Sequence, residues 1–161
     1  MLLLAAQPNA IFLGQGVASD GVAMYDDLNG VQASQRIELP VVEELQMGMG
    51  IGLSLMGFLP ILVYPRMDFM LRAADALVNH LDKLAEMSRG QFVPKVIIRT
   101  RVGPKSPLDA GPQHTQNHCE AFQMMLTSVL VDEIRRPEEI MPAYGAAIRR
   151  TGSTIVVENI Q

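Results

Sequence analysis

A run without a single charged residue, from Leu45 to Pro65, stands directly behind two acids, Glu43 and Glu44. It is long enough to be considered as a membrane-spanning helix. Its punctuation argues otherwise. Pro60 and Pro65 would break such a helix, and Gly57 suits the position just past a helix end. "PILVY" (60–64) is a short apolar run that reads as a buried strand. The spacing therefore predicts a helix from Val42 to Met56, a turn at Gly57-Phe58-Leu59, and a strand over 60–64. Glycine weakens a helix by about 1 kcal/mol relative to alanine, so its repeated use needs a reason. Gly48 and Gly52 lie four apart, on one helix face, where small residues let another backbone approach closely.

The rest of the chain repeats this alternation. "AIFLG" (10–14), "RIELP" (36–40), "KVIIRT" (95–100), "SVLVDEI" (128–134) and "STIVVEN" (153–159) read as further strands. Residues 66–88 read as one amphipathic helix. Met67, Met70, Leu71, Ala74, Leu77, Val78, Leu81 and Leu84 form its apolar stripe, with Phe69, Ala73, Ala76 and His80 beside it. Residues 119–126 and 137–150 read as two more helices. Asp20-Gly21 and Asn29-Gly30 mark turns. Residues 101–117 form a Gly/Pro-rich loop too long for a simple connector. Apolar strands separated by helices imply an α/β fold, a mostly parallel sheet with helices on both faces. Residues 1–161 are expected to form a single domain. Ligands in such folds bind beyond the carboxyl ends of the strands.

Charged residues are 19% of the chain against 48% hydrophobic ones, and methionine occurs 11 times. So little charge leaves surface suited to burial against other chains, with methionine as adaptable filler. A net charge of −4 argues against a nucleic-acid partner. The single Cys119 excludes an intrachain disulfide. Together with a start, "MLLLAAQPN", that has no basic leader region, it points to the cytoplasm and away from a membrane. No phosphate-binding loop or dinucleotide fingerprint is present, and "GMGIG" (48–52) falls inside the predicted helix. His114 and His118 are four apart but straddle a loop-to-helix junction without a matching acidic ligand, so no metal site is expected.

One ordered series remains: Pro40-Val41-Val42-Glu43, then Gly48, Gly52, Gly57 and Pro60, then Asp68-Phe69, Asp75 and Asn79, then "VIIRTRVG" (96–103) and "QHTQ" (113–116). This series resembles the pyrimidine-binding domain of thiamin diphosphate enzymes, in particular the beta subunit of the decarboxylating component of 2-oxo acid dehydrogenases. The resemblance implies that Glu43 hydrogen-bonds N1′ of the cofactor's aminopyrimidine ring and so activates the cofactor. Such an acid must hold or share a proton. Burial favours that, while the first turn of a helix favours the anion. By the same resemblance Phe69 stacks on the pyrimidine, Gln46 joins the cofactor contacts, and His114 stands near the incoming substrate. Thr115 and Gln116 shape the substrate loop. Glu44 has no counterpart and reads as an ordinary first-turn acid. Arg99 reads as structural, tying the loop to the strand end.

The resemblance also implies partners. In the family the cofactor's diphosphate and its Mg2+ are held by a Gly-Asp-Gly…Asn motif, which this sequence lacks; "SDGVA" (19–23) is missing the first glycine and the spaced asparagine. An alpha-type, diphosphate-binding subunit is therefore expected to share thiamin diphosphate with this chain in a heterotetramer that is inactive without it. The second domain of usual beta subunits has no counterpart in these residues, which leaves membership of a multienzyme complex open. Gln15 replaces an acid usual in relatives. The expected role is a subunit of a 2-oxo acid decarboxylase/dehydrogenase. The alternatives are a transketolase-like carboligase subunit and a non-catalytic scaffold of the same fold. Sugar-phosphate substrates would ask for several free basic residues, for which Arg66, Arg99, Arg101 and Lys105 are the candidates.

Overall fold

The computed structural model describes residues 1–19 and 26–160. Six strands, β1 (Ala10–Gly14), β2 (Arg36–Glu38), β3 (Leu59–Tyr64), β4 (Ile97–Arg101), β5 (Leu130–Ile134) and β6 (Thr154–Glu158), form one sheet in the order β2-β1-β3-β4-β6-β5. Every pairing is parallel. Helices lying wholly within the described residues include α1 (Leu2–Ala5), α2 (Glu43–Leu55), α3 (Met67–Met70), α4 (Leu84–Met87), α5 (Cys119–Met125) and α6 (Ile140–Arg149). The predicted α/β architecture is the observed one. The turn expected at Asp20-Gly21 lies outside the described residues, whereas Gly30 makes its turn at φ +85°.

Alternation along the strands divides the core in two. Leu13, Leu62, Tyr64, Ile98, Ile155 and Val157 point to one face, where α2, residues 67–81 and α5 cover them. Phe12, Ile61, Val63, Ile97 and Val156 point to the other, under α1 and α6. All six residues of β3 are buried, as a central strand of a two-sided parallel sheet requires.

Residues 66–88 are not one regular helix. α3 passes into a 3-10 turn (Leu71–Ala73), then a π-helix (Ala76–Leu81), then α4. The burial differs from the predicted stripe accordingly: Leu71 is 48% exposed, while Ala73 and Ala76 are buried. The cause lies far away in sequence. Asp82 follows Leu81 into the interior and accepts hydrogen bonds from the backbone N–H groups of Thr127, Ser128 and Val129. A π turn holds one residue more than an α turn, and the Asp82 N–H donates to the Leu77 carbonyl five residues back. The wider turn brings Leu81 and Asp82 inside together.

The sheet order changes direction between β1 and β3. From β1 the chain first extends the sheet to β2, then returns to β3 on the opposite side. Such a switch point opens a crevice at the carboxyl ends of the strands, where ligands bind in open α/β sheets.

Candidate functional site at the carboxyl edge of the sheet

Glu43 is the first residue of α2, and Val42 before it supplies no side-chain cap. The helix start is fixed from below. The Tyr64 hydroxyl, on the last residue of β3, donates to the Glu43 backbone carbonyl at 3.0 Å. Burial, and then the Glu43 charge, push the Tyr64 phenol far above its ordinary value. The Glu43 carboxylate is half-buried and faces a cleft of about 590 Å³ whose walls include Val41, Val42, Arg72, Asp75, Ala76 and His80. Arg72, Asp75, Ala76 and His80 recur at helical spacing, the one sequence signal for this wall. Glu44 is exposed and lies on the same rim.

Gln46 takes a different place from the one the resemblance implies. It is 3% exposed, and its Nε2 donates to the carbonyls of Leu13 (3.0 Å) and Val63 (3.1 Å). These carbonyls belong to β1 and β3, the two strands that flank the switch point. Its amide nitrogen thus secures the helix to the sheet.

The glycines of α2 also divide. A Cβ on Gly50 would stand 2.8 Å from both methyls of Leu62, so Gly50 is what lets the helix lie on β3. Gly48 and Gly52 have nothing within 4 Å of such a Cβ and are exposed, in line with exposed Leu45, Leu55 and Met56.

Phe69 and His114 meet. Their rings lie edge to face, centroids 5.4 Å apart and planes 82° apart. Phe69 follows β3 in α3, and His114 belongs to the loop that follows β4. Gly103 at the base of that loop donates its N–H to the His114 carbonyl at 3.1 Å. A Cβ on Gly103 would come within 2.0 Å of that oxygen, so only glycine fits. Thr115 Oγ1 donates to the Gly111 carbonyl at 3.3 Å, and Gln116 Nε2 donates to Asp68 Oδ1 at 2.8 Å. The structure therefore brings Phe69, His114 and Gln116 together around α3. Glu43 lies apart from this group, on the cleft lined by Arg72, Asp75, Ala76 and His80.

Arg99 is tied to β6 and to Asp27 and not, as expected, to the loop after β4. Its guanidinium, 6% exposed, donates to both carboxylate oxygens of Glu158 at 2.9 Å and to Asp27 at 3.0 Å. Tyr144 donates to the same Glu158 at 2.7 Å. Burial opposes the Glu158 charge, but the Arg99 bonds outweigh it and hold its carboxyl below the usual range. Arg101 pairs with Asp27 as well.

The residues beside the cleft suit an aminopyrimidine. A carboxylate can meet the ring nitrogen, and Val41, Val42 and Ala76 offer apolar wall. Among the described residues no group of three or more His, Cys, Asp or Glu side chains is placed to hold a metal ion. Among them, too, no helix is long and apolar enough to cross a membrane.

No protein-family model matches the chain. Individual relatives do. A chloroplastic pyruvate dehydrogenase E1 component subunit beta-3 of Arabidopsis thaliana is 28% identical over 124 residues, 77% of this chain and 30% of the relative. The E1 subunit beta of Gracilaria tenuistipitata var. liui is 26% identical over 155 residues, 94% of this chain and 47% of the relative. The chain thus spans less than half the length of these relatives. Among solved structures, a split-gene transketolase described as an inactive beta4 tetramer superposes with TM-score 0.73 at 16% identity, covering 96% of this chain and 46% of that one. The transketolase of Campylobacter jejuni superposes with TM-score 0.71 at 13% identity over 95% of this chain and 23% of that one. At these identities the structures speak for the fold alone. The chain is a homologue of part of the pyruvate dehydrogenase E1 beta subunits and has the transketolase-like fold.

Proposed function

We propose that this chain is the pyrimidine-binding subunit of a thiamin diphosphate-dependent 2-oxo acid decarboxylase or dehydrogenase, with Glu43 as its cofactor-activating acid. The observation that carries the reading is the placement of Glu43 on a 590 Å³ cleft at the carboxyl edge of the sheet, its helix start pinned by Tyr64. Bound thiamin diphosphate supplies the electron sink for decarboxylation. Glu43 shares a proton between its carboxyl oxygen and the N1′ acceptor of the pyrimidine. Val41, Val42 and Ala76 give the ring an apolar wall beside that contact. Phe69 stacks on the ring, and His114, held edge-on to Phe69, faces the entering 2-oxo acid. Thr115 and Gln116 fix the loop that carries it. The diphosphate and Mg2+ belong to an alpha-type partner subunit, so this chain acts in a hetero-oligomer and not alone.

A specific observation weighs against the transketolase-like alternative. Of its four candidate cations for a sugar phosphate, Arg99 and Arg101 are consumed by Asp27 and Glu158. That leaves Arg66 and Lys105 of the four, with Arg72 on the cleft wall, for a phosphate.

The test is co-expression with a subunit carrying Gly-Asp-Gly…Asn, followed by calorimetric titration with thiamin diphosphate and a decarboxylation assay on pyruvate and branched 2-oxo acids. Glu43→Gln should retain cofactor binding and lose at least about a hundredfold in decarboxylation, the scale of a lost general acid–base group. A complex that binds cofactor and keeps full rate with Glu43→Gln would sink the assignment.

A further inference from the structure

Three consecutive residues of α3 hold three alternate residues of the loop after β4. The Met67 sulfur accepts the His118 N–H at 3.3 Å. Asp68 Oδ1 accepts from Gln116 Nε2 at 2.8 Å. The Phe69 ring meets the His114 ring at 5.4 Å. The pairs 67–118, 68–116 and 69–114 run antiparallel, one step on the turn to two on the loop. Of the three contacts only the middle one is a directional side-chain hydrogen bond to an ionisable group, and Asp68 is 9% exposed. Its second oxygen, Oδ2, is buried and has no hydrogen-bond partner. Nothing else among its described hydrogen bonds competes with Gln116 for this carboxylate. Two of the three contacts flank His114 from one side; the Gly103 N–H grips its carbonyl from the other.

We infer that Asp68 is a positioning residue: through Gln116 it sets where the His114 imidazole stands over Phe69. The hydrogen bond fixes the loop two residues past His114, and the Gly103 bond fixes the backbone of His114 itself. Between those two points the imidazole has only its own rotamers left, and the Phe69 edge selects among them. A buried side-chain hydrogen bond at this point suits a loop rich in glycine and proline that would otherwise sample many conformers. The use of that position, near the substrate, rests on the function proposed above; the position itself does not.

The experiment separates the two. Gln116→Glu sets carboxylate against carboxylate and breaks the clasp. Adding Asp68→Asn reverses donor and acceptor, so that the new amide donates to the new carboxylate and the bond returns. The first readout is NMR of the chain without cofactor. With three histidines, the His114 Hε1 signal is assigned by its disappearance in His114→Gln. In Gln116→Glu it should leave the position set by the Phe69 ring current and broaden; in the double variant it should return, with the core methyl signals unchanged throughout. The second readout is decarboxylation by the complex, expected to fall about a hundredfold in the single variant, the cost of an ångström-scale misplacement, and to recover in the double. A His114 signal that stays put in Gln116→Glu, or that is not restored by the second change, overturns the positioning role. A restored signal in a complex that neither binds thiamin diphosphate nor decarboxylates leaves the clasp standing and removes the proposed function instead.

Discussion

Replacing Asp82 tests how the wall of the cleft is built. Its side chain is fully buried, yet it is ionised and saturated with donors. The backbone N–H of Thr127 (3.0 Å), Ser128 (2.7 Å) and Val129 (2.9 Å) converge on it, joined by the Thr127 and Ser128 hydroxyls and by Lys83 Nζ at 2.8 Å. Burial alone would raise its pKa, but the Lys83 and backbone bonds outweigh burial and hold the carboxyl far below the usual range. Asp82→Ala removes the acceptor and strands three backbone donors. At roughly 1.5–3 kcal/mol per hydrogen bond to a charged group, and with overlap among the three, the loss should be about 4 kcal/mol. That is a large share of the roughly 5–15 kcal/mol that holds a domain together. Asp82→Asn keeps one acceptor oxygen and turns an NH2 toward the donors, so about half that loss is expected. The pH dependence has a definite sign. A folded pKa below the unfolded value of about 3.9 gives stability that is complete above roughly pH 5, begins to fall in the ordinary carboxylate range and is lost only as the pH drops through the depressed folded pKa. Urea unfolding of the wild type and Asp82→Asn should therefore show a constant gap from pH 7 to pH 5 and a shrinking one below. A gap under ~1 kcal/mol at pH 7, or one already shrinking between pH 7 and pH 5, would refute the reasoning.

Two further outcomes follow from packing. Gly50→Ala drives a methyl against Leu62 and should cost about 1–3 kcal/mol in denaturant midpoints, lifting α2 from β3. Gly48→Ala and Gly52→Ala meet open space, so each should stabilise the isolated chain by roughly 0.5–1 kcal/mol while weakening assembly with a partner, read by sedimentation of the complex. The Cys119 thiol, pushed up to about 12 by burial and then by the Glu133 charge, should resist iodoacetamide near pH 8 in the folded chain and react readily in urea; equal rates in both would contradict its burial.

The sheet was legible because buried parallel strands are written as short apolar runs, and all six appear at their expected places. The long helix α2 was legible too, since its ends are marked locally by the acids at its start and Gly57 after it. Residues 66–88 depart from the expected single helix for the opposite reason. What bends them is the bond between Asp82 and residues 127–129, and no local pattern announces a contact across that distance. The site divides in the same way. Residue chemistry alone marks Glu43 as a first-turn acid; only the resemblance singles it out. Phe69 and His114 were named separately and proved to be in ring contact. Gln46 was named for a cofactor contact, but burial and two strand carbonyls claim its amide nitrogen.

That use of Gln46 explains how a helix weakened by glycine can still present an acid accurately. The first turn of an isolated helix frays, because its leading N–H groups have no partners within the helix. Here three contacts replace that missing cohesion. Tyr64 holds the Glu43 carbonyl, Gln46 one turn later holds the ends of β1 and β3, and Gly50 a further turn on lets the helix axis lie close over Leu62. Gly14 is part of the same device, since a Cβ there would stand 2.4 Å from the Val63 carbonyl and 3.2 Å from the Gln46 amide nitrogen. The three contacts fall at successive turns on one helix face, the face turned to the sheet. The opposite face, with Gly48 and Gly52, makes none of them. Position is thus set by the strands and not by helix propensity, so the outer glycines take no part in placing the acid.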